Sequence, residues 1–192
     1  GCEGTDGALS VAQEIVGKDP DQYVFLTQYA NKANQLAHFE TTGPEILRQT
    51  AGRVDAFVAG MGTSGTIMGI GKFLREHVPG VRIVGVEHPR GLCIQGLKNM
   101  DEGLVPSLYA PDMLDEKITV SREEAHEYTR ELARIGIFAG ISSGAAMAGC
   151  LKLAGEMESG TIVTVFPDRG DRYLTTDIFH SVCRMCGKEG GV

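Results

Sequence analysis

Between Val54 and Glu76 the chain runs from an apolar, β-branched stretch through Gly60-x-Gly62-x-x-Gly65 into a segment of helical period, with hydroxyls at Thr63, Ser64 and Thr66. That combination suits the capture of a phosphate. Gly60, Gly62 and Gly65 allow a tight turn and a close approach of backbone to ligand. Ile67, Ile70 and Leu74 repeat at i, i+3 and i+7, so a helix starts inside the loop and points its free N–H groups and positive dipole end at whatever the loop holds. The same spacing also satisfies a dinucleotide fingerprint. An apolar strand from Val81 to Val86 follows, and Glu87 lies 22 residues past Gly65, where a Rossmann domain places its ribose-binding acid. Two features favour phosphate over a nicotinamide dinucleotide: the density of hydroxyls, and a second hydroxyl-glycine helix start at Ser142-Ser143-Gly144.

These candidates need elements to position them, and the pattern supplies an alternation. Asp6 can cap a helix carrying Ala8, Ala12, Ile15 and Val16, ended by Gly17. A short strand is expected from Tyr23 to Leu26, and Gly43-Pro44-Glu45 opens a short helix to about Ala51. After the strand, cradle, helix and second strand comes a Gly/Pro/Asn-rich stretch from His88 to Asp115, expected to be a long ordered loop or flap. Ser121-x-x-Glu124 is a capping box, with Ala125, Tyr128, Leu132 and Ile135 continuing its helix. Ile137 to Ala139 suits a very short strand, Ala146, Cys150, Leu153 and Met157 stripe a further helix, and Thr161 to Phe166 is a last core strand. The expected class is α/β, a mostly parallel sheet with helices on both faces.

Composition narrows the function. At 192 residues and 42% apolar, the chain can bury a sizeable core. A net charge of −7 without a basic cluster argues against nucleic acid, and no apolar stretch approaches the length of a membrane span. Five cysteines without framework spacing suit a reducing cytoplasm. Cys183-Arg-Met-Cys186 is a lone C-x-x-C with no second pair, and no histidine has metal spacing, so no metal site is assigned. Cys93 and Cys150 are expected to be small buried hydrophobes. The chain begins at Gly1 and not at Met, from which a cut, a tag remnant or the edge of a longer sequence is expected.

Five segments carry a family resemblance: Gln28-Tyr-x-Asn31, Leu36-Ala-His-Phe-Glu-Thr-Thr-Gly-Pro-Glu45, the Gly62-Thr-Ser-Gly-Thr66 loop, Gly140-Ile-Ser-Ser-Gly-Ala-Ala146 and Asp168-Arg-Gly-Asp-Arg-Tyr-Leu-Thr175. Together, in this order over residues 1 to about 180, they resemble the cysteine synthase family, the β-replacing pyridoxal-phosphate (PLP) enzymes of fold type II. The loop spelling and the last segment are most similar to the cysteine synthase B branch. The resemblance implies that Gly62, Thr63, Ser64, Gly65 and Thr66 wrap the PLP phosphate and that Ser142 meets the pyridine nitrogen. It also implies Gln28 near the substrate carboxylate. Lys98 falls near where phosphoserine-using relatives carry a cation, although a solvated surface lysine is the simpler reading. Asp168 and Asp171 are candidates for the pyridine end, or for capping the final turn.

The implied reaction forms L-cysteine from O-acetylserine or O-phosphoserine with sulfide or a sulfur carrier; a cystathionine-forming variant would take homocysteine. A cytoplasmic homodimer is implied. Two family features are missing: none of the seven lysines stands in the context of the lysine that holds PLP covalently, and Asn31, Asn34 and Asn99 are not in the setting of the asparagine-containing loop that grips the substrate carboxylate, so no catalytic residue is assigned within this chain. By this reading residues 1–20 are the last helix of a truncated small domain, 21–180 the PLP-phosphate-binding large domain and 181–192 a tail. A lysine-free, non-catalytic phosphate or PLP binder is the alternative, with a nicotinamide-dependent oxidoreductase behind it.

Overall fold

In the computed structural model, residues 4–179 are described. Four parallel strands form one sheet: β1 (Ala56–Gly60), β2 (Arg82–Glu87), β3 (Glu116–Thr119) and β4 (Ile162–Thr164), in the spatial order β3-β2-β1-β4. Alternation along β1 assigns its two faces. Ala56 and Val58 pack on one side with α6 (Ile141–Ala154), behind α5 (Arg122–Arg134), while Phe57 and Ala59 pack on the other with α4 (Gly65–His77). Both faces are therefore covered, as parallel sheets require and as the pattern predicts.

The chain runs outward from β1 to β2 and β3, then returns through α5 and α6 to add β4 on the opposite side of β1. This reversal leaves a crevice between the carboxyl ends of β1 and β4, the place where open α/β sheets bind ligands. The crevice is the frame of the site.

Several local expectations hold. Ser121 Oγ accepts from Glu124 N at 3.2 Å and Glu124 Oε2 accepts from Ser121 N at 2.8 Å, closing the capping box at the head of α5. Cys150 is buried, and burial pushes its thiol up to about 11. Others are corrected. Tyr23 to Leu26 is not a strand; the segment has no regular structure and pairs with no strand, leaving Val24 87% and Leu26 73% exposed. The first helix, α1 (Gly4–Lys18), begins before Asp6, whose carboxylate serves a distant partner instead of a cap. Cys93 is exposed, not buried. Ile137 to Ala139 contributes only a single bridge, Ala139 with Arg169. β4 is shorter than expected, and β3 was not anticipated at all.

The helix expected to open at Gly43 is the second half of a longer one. Residues run from α2 (Ala33–Ala37) through a π-helical turn (His38–Thr42) into α3 (Gly43–Gln49). Pro44 cannot donate to the carbonyl four residues back and its ring crowds that carbonyl; a π turn just before it absorbs the mismatch. Cys183 and Cys186 lie outside the described residues.

Candidate active site

The crevice holds a cavity of about 180 Å³. Gly62, Thr63, Ser64 and Thr66 line one end; Ser142 and Ala146, from the first turns of α6, line another. Val165 and Pro167, just past β4, and Gly96 and Leu97, from the loop after β2, complete it. Thr63, Ser64 and Thr66 at one helix start and Ser142 at the other thus meet in one cavity, across an interval of about eighty residues, while Ser143 is buried away from it.

The α4 end combines a helix N-terminus with three hydroxyls. Ser64 sits at the N-cap with φ 68°, left-handed backbone that costs a non-glycine residue about 1–2 kcal/mol. Strain of this kind persists where surroundings impose it, typically at a ligand-holding turn. Behind the loop, α2 lies close against α4. A Cβ on Gly65 would land on the Asn34 amide, and one on Gly69 would strike Gln35 O and come within 2.8 Å of His38 Cβ. The two glycines, four residues apart, let two side chains four residues apart on the facing helix reach the cradle. Asn34 Nδ2 donates to Thr63 Oγ1 at 3.0 Å, and His38 Nε2 lies 3.1 Å from Thr66 Oγ1. His38 Nδ1 lies 3.0 Å from Thr42 Oγ1, within the π turn. Burial holds the His38 imidazole below its usual range. Neither Asn34 nor His38 was singled out from sequence, although Asn34, His38 and Thr42 share an i, i+4, i+8 spacing.

The α6 end is held differently. Gly140 N donates to Asp168 O at 3.1 Å, Gly170 N to Phe138 O at 3.0 Å, and Tyr173 Oη to Asp168 Oδ2 at 2.6 Å. Burial raises the Tyr173 phenol to about 12, with the Asp168 carboxylate adding to it. A Cβ on Gly140 would fall on Asp168 Oδ1, so this carboxylate braces the helix start from behind. Asp171 pairs with Arg169 at 3.1 Å on the surface. Neither aspartate lines the cavity.

Other candidates lie elsewhere. Gln28 is exposed; its carbonyl accepts from Asn34 Nδ2 at 2.8 Å, and its surroundings are the apolar groove between α1 and residues 25–29. Lys98 turns away from the cradle and pairs with Asp6 at 2.8 Å, in a neighbouring polar pocket. Among the described residues no lysine lines the cavity. Glu87, the would-be ribose acid, is 4% exposed with both oxygens engaged: Met100 N donates to Oε2 at 3.1 Å and Lys117 Nζ pairs with Oε1 at 3.0 Å. It pins the long loop to the sheet, which removes the nicotinamide reading. Among the described residues no cluster is placed to hold a metal, and no helix is long and apolar enough to cross a membrane.

A family model described as "Pyridoxal-phosphate dependent enzyme" matches residues 2–168. The chain belongs to that family. It is 48% identical over 183 residues to the cysteine synthase of Aquifex aeolicus, a match covering 92% of this chain and 56% of the relative. Among solved structures, O-acetyl serine sulfhydrylase isoform 3 from Entamoeba histolytica superposes with a TM-score of 0.83 at 34% identity, covering 100% of this chain and 58% of that one. The O-acetylserine dependent cystathionine β-synthase from Helicobacter pylori gives 0.81 at 34%, covering 93% and 61%. The chain therefore spans roughly three-fifths of the length of these relatives. The family cofactor, PLP, is a phosphate monoester on a pyridine ring, and the residues present fit it: a strained hydroxyl-glycine turn at a helix start, and a lone serine across the cavity.

Proposed function

We propose that this chain is the cofactor-holding part of an enzyme that forms L-cysteine by β-replacement, from O-acetylserine or O-phosphoserine and a sulfur donor. The observation that carries the reading is the single cavity shared by Gly62, Thr63, Ser64 and Thr66 with Ser142 at the topological switch. PLP, when bound, supplies an electron sink for chemistry at the amino-acid α- and β-carbons. The chain's own residues bind and orient it. Backbone N–H groups and hydroxyls of Gly62, Thr63, Ser64, Gly65 and Thr66 grip the phosphate without a cationic side chain. Ser142 offers the ring nitrogen a neutral hydroxyl, which, unlike a carboxylate, does not hold a proton there and so suits elimination of a β-leaving group.

The lysine that holds the cofactor and moves the α-proton is supplied, on this reading, by polypeptide outside residues 1–192. None of the six lysines among the described residues lines the cavity, which supports it: Lys18, Lys98, Lys117 and Lys152 are paired with carboxylates, Lys72 lies over the Phe39 ring at 5.2 Å, and Lys32 precedes α2. A general base on the α-carbon is indispensable, and no hydroxyl here can replace it. Residues 1–192 are expected to bind PLP reversibly, to lose it entirely on dialysis and to make no cysteine from O-acetylserine and sulfide. A longer chain bearing the lysine should retain the cofactor and turn over. Turnover by residues 1–192 alone would overturn the assignment, and Lys98→Ala would then be the first variant to make. A longer chain that retains PLP without turnover would favour the non-catalytic binder.

A further inference from the structure

The two hydroxyls at the cradle are backed by side chains of different chemistry. Asn34 Nδ2 donates to both Gln28 O and Thr63 Oγ1. An amide nitrogen has only hydrogens to give, so Thr63 accepts from behind and keeps its own hydrogen for the cavity. His38 stands in the same relation to Thr66, but an imidazole can face a hydroxyl as donor or acceptor. If Nε2 accepts, the Thr66 hydrogen is drawn backward and the cavity meets a lone pair. If Nε2–H donates, Thr66 is left to donate forward, and Nδ1 accepts from Thr42. An anion in the cradle selects the second arrangement.

We propose that His38 is a positioning residue that keeps Thr66 a donor to the bound anion, and that by taking up a second proton it tightens the hold on dianions, so that anion affinity rises as pH falls. The proton comes from solvent onto Nδ1; Thr42 turns from donor to acceptor, and Thr66 remains a donor throughout. The inference rests on the phosphate reading of the cradle. Charged and titratable groups on the surrounding elements are Lys32 before α2, Glu40 on the π turn, Glu45 and Arg48 on α3, and Lys72, Arg75, Glu76 and His77 on α4. Glu45 accepts from Gln49, Lys72 covers Phe39, Arg75 pairs with Asp115 and His77 Nδ1 lies 2.8 Å from Phe73 O; none of these groups contributes to the depressed basicity of His38, for which burial is the cause. The dianion would therefore be the dominant charge acting on this imidazole.

Sulfate is the probe, because it stays dianionic across the range tested. Its affinity for residues 1–192 is measured by calorimetry from pH 8.0 to 5.5, with amide shifts of Gly62 to Thr66 reporting where it binds. The wild type should bind several-fold more tightly at the acid end, approaching the roughly tenfold limit set by one pKa unit of coupling. His38→Gln, which can still donate to Thr66 but cannot titrate, should keep roughly the wild-type affinity at pH 8.0 and lose the slope. His38→Leu should bind several-fold more weakly throughout. Nitrogen-15 spectra of the wild-type imidazole give a variant-free check: sulfate should raise the pKa of His38 and leave that of His126 unmoved. A wild type with no slope, or a slope retained in His38→Gln, overturns the proposal while leaving the cradle intact. Sulfate that shifts none of the cradle amides overturns the phosphate reading, and this inference with it.

Discussion

The two helix starts that face each other across the cavity are built on opposite plans. At α4 the loop is strained, its hydroxyls are backed by Asn34 and His38, and every group presented to the cavity is a donor or can be made one. At α6 the helix start is braced by backbone bonds to the segment that follows β4, and a single hydroxyl residue, Ser142, lines the space. On the proposed reading the first plan is suited to charge. The second places one neutral group at a fixed point, and the difference matches a ligand with a dianionic end and an uncharged polar end.

The comparison can be broken most severely by moving the layer behind α4. Gly69→Ala would drive a methyl group into Gln35 O and His38, separating α2 from α4, and overpacking of this kind typically costs about 1–3 kcal/mol. Urea denaturation should show the loss, together with weakened sulfate binding; unchanged stability would mean that the helices are not held at this distance. Next in size is the cradle itself. Thr63→Ala with Thr66→Ala should weaken phosphate and PLP alike, by roughly 1–3 kcal/mol, through lost donors. Ser142→Ala should weaken PLP more than inorganic phosphate. Equal effects of Ser142→Ala on the two ligands would end the division of labour.

A gain is expected from Ser64→Gly, which removes the left-handed strain and should add about 1 kcal/mol of stability in the same denaturation experiment. No gain would show that the turn is not strained in solution. The smallest effect belongs to Asp6. Its hydrogen bond from Lys98 holds its carboxyl below the usual 3.8, so its contribution is present above that value and lost as pH falls through the lower folded value. Asp6→Asn should cost under about 1 kcal/mol near pH 7, with the difference from wild type closing in strong acid. A difference that persists at pH 2 would trace to packing, not charge.

What could be read from the residues was what the chain does locally. Glycine and hydroxyl spacing marks helix starts, and both of those it marks open onto one cavity. The layer behind the cradle escaped because His38 and Thr66 are 28 residues apart and meet only through a close helix crossing. Tyr23 to Leu26 was misread for the converse reason: its residues suit a half-buried pleated surface, but no neighbouring strand offers one. β3 hid behind its charges. Glu116 and Lys117 look unlike strand residues until Arg82 and Glu87 of the adjacent strand are seen to pair with them.

The single carboxylate of Asp6 ties two remote parts of the molecule together. One oxygen holds Lys98 Nζ at 2.8 Å and the other accepts from Leu104 N at 2.9 Å, so α1 grips the long loop at two points. Lys98 follows directly on Leu97, whose side chain helps to enclose the cavity and would collide at 2.5 Å with a Cβ on Gly60. The first helix is therefore tethered, through one carboxylate, to the loop that roofs the site, and the headroom above the glycine turn is set partly by a residue more than ninety positions away in the chain.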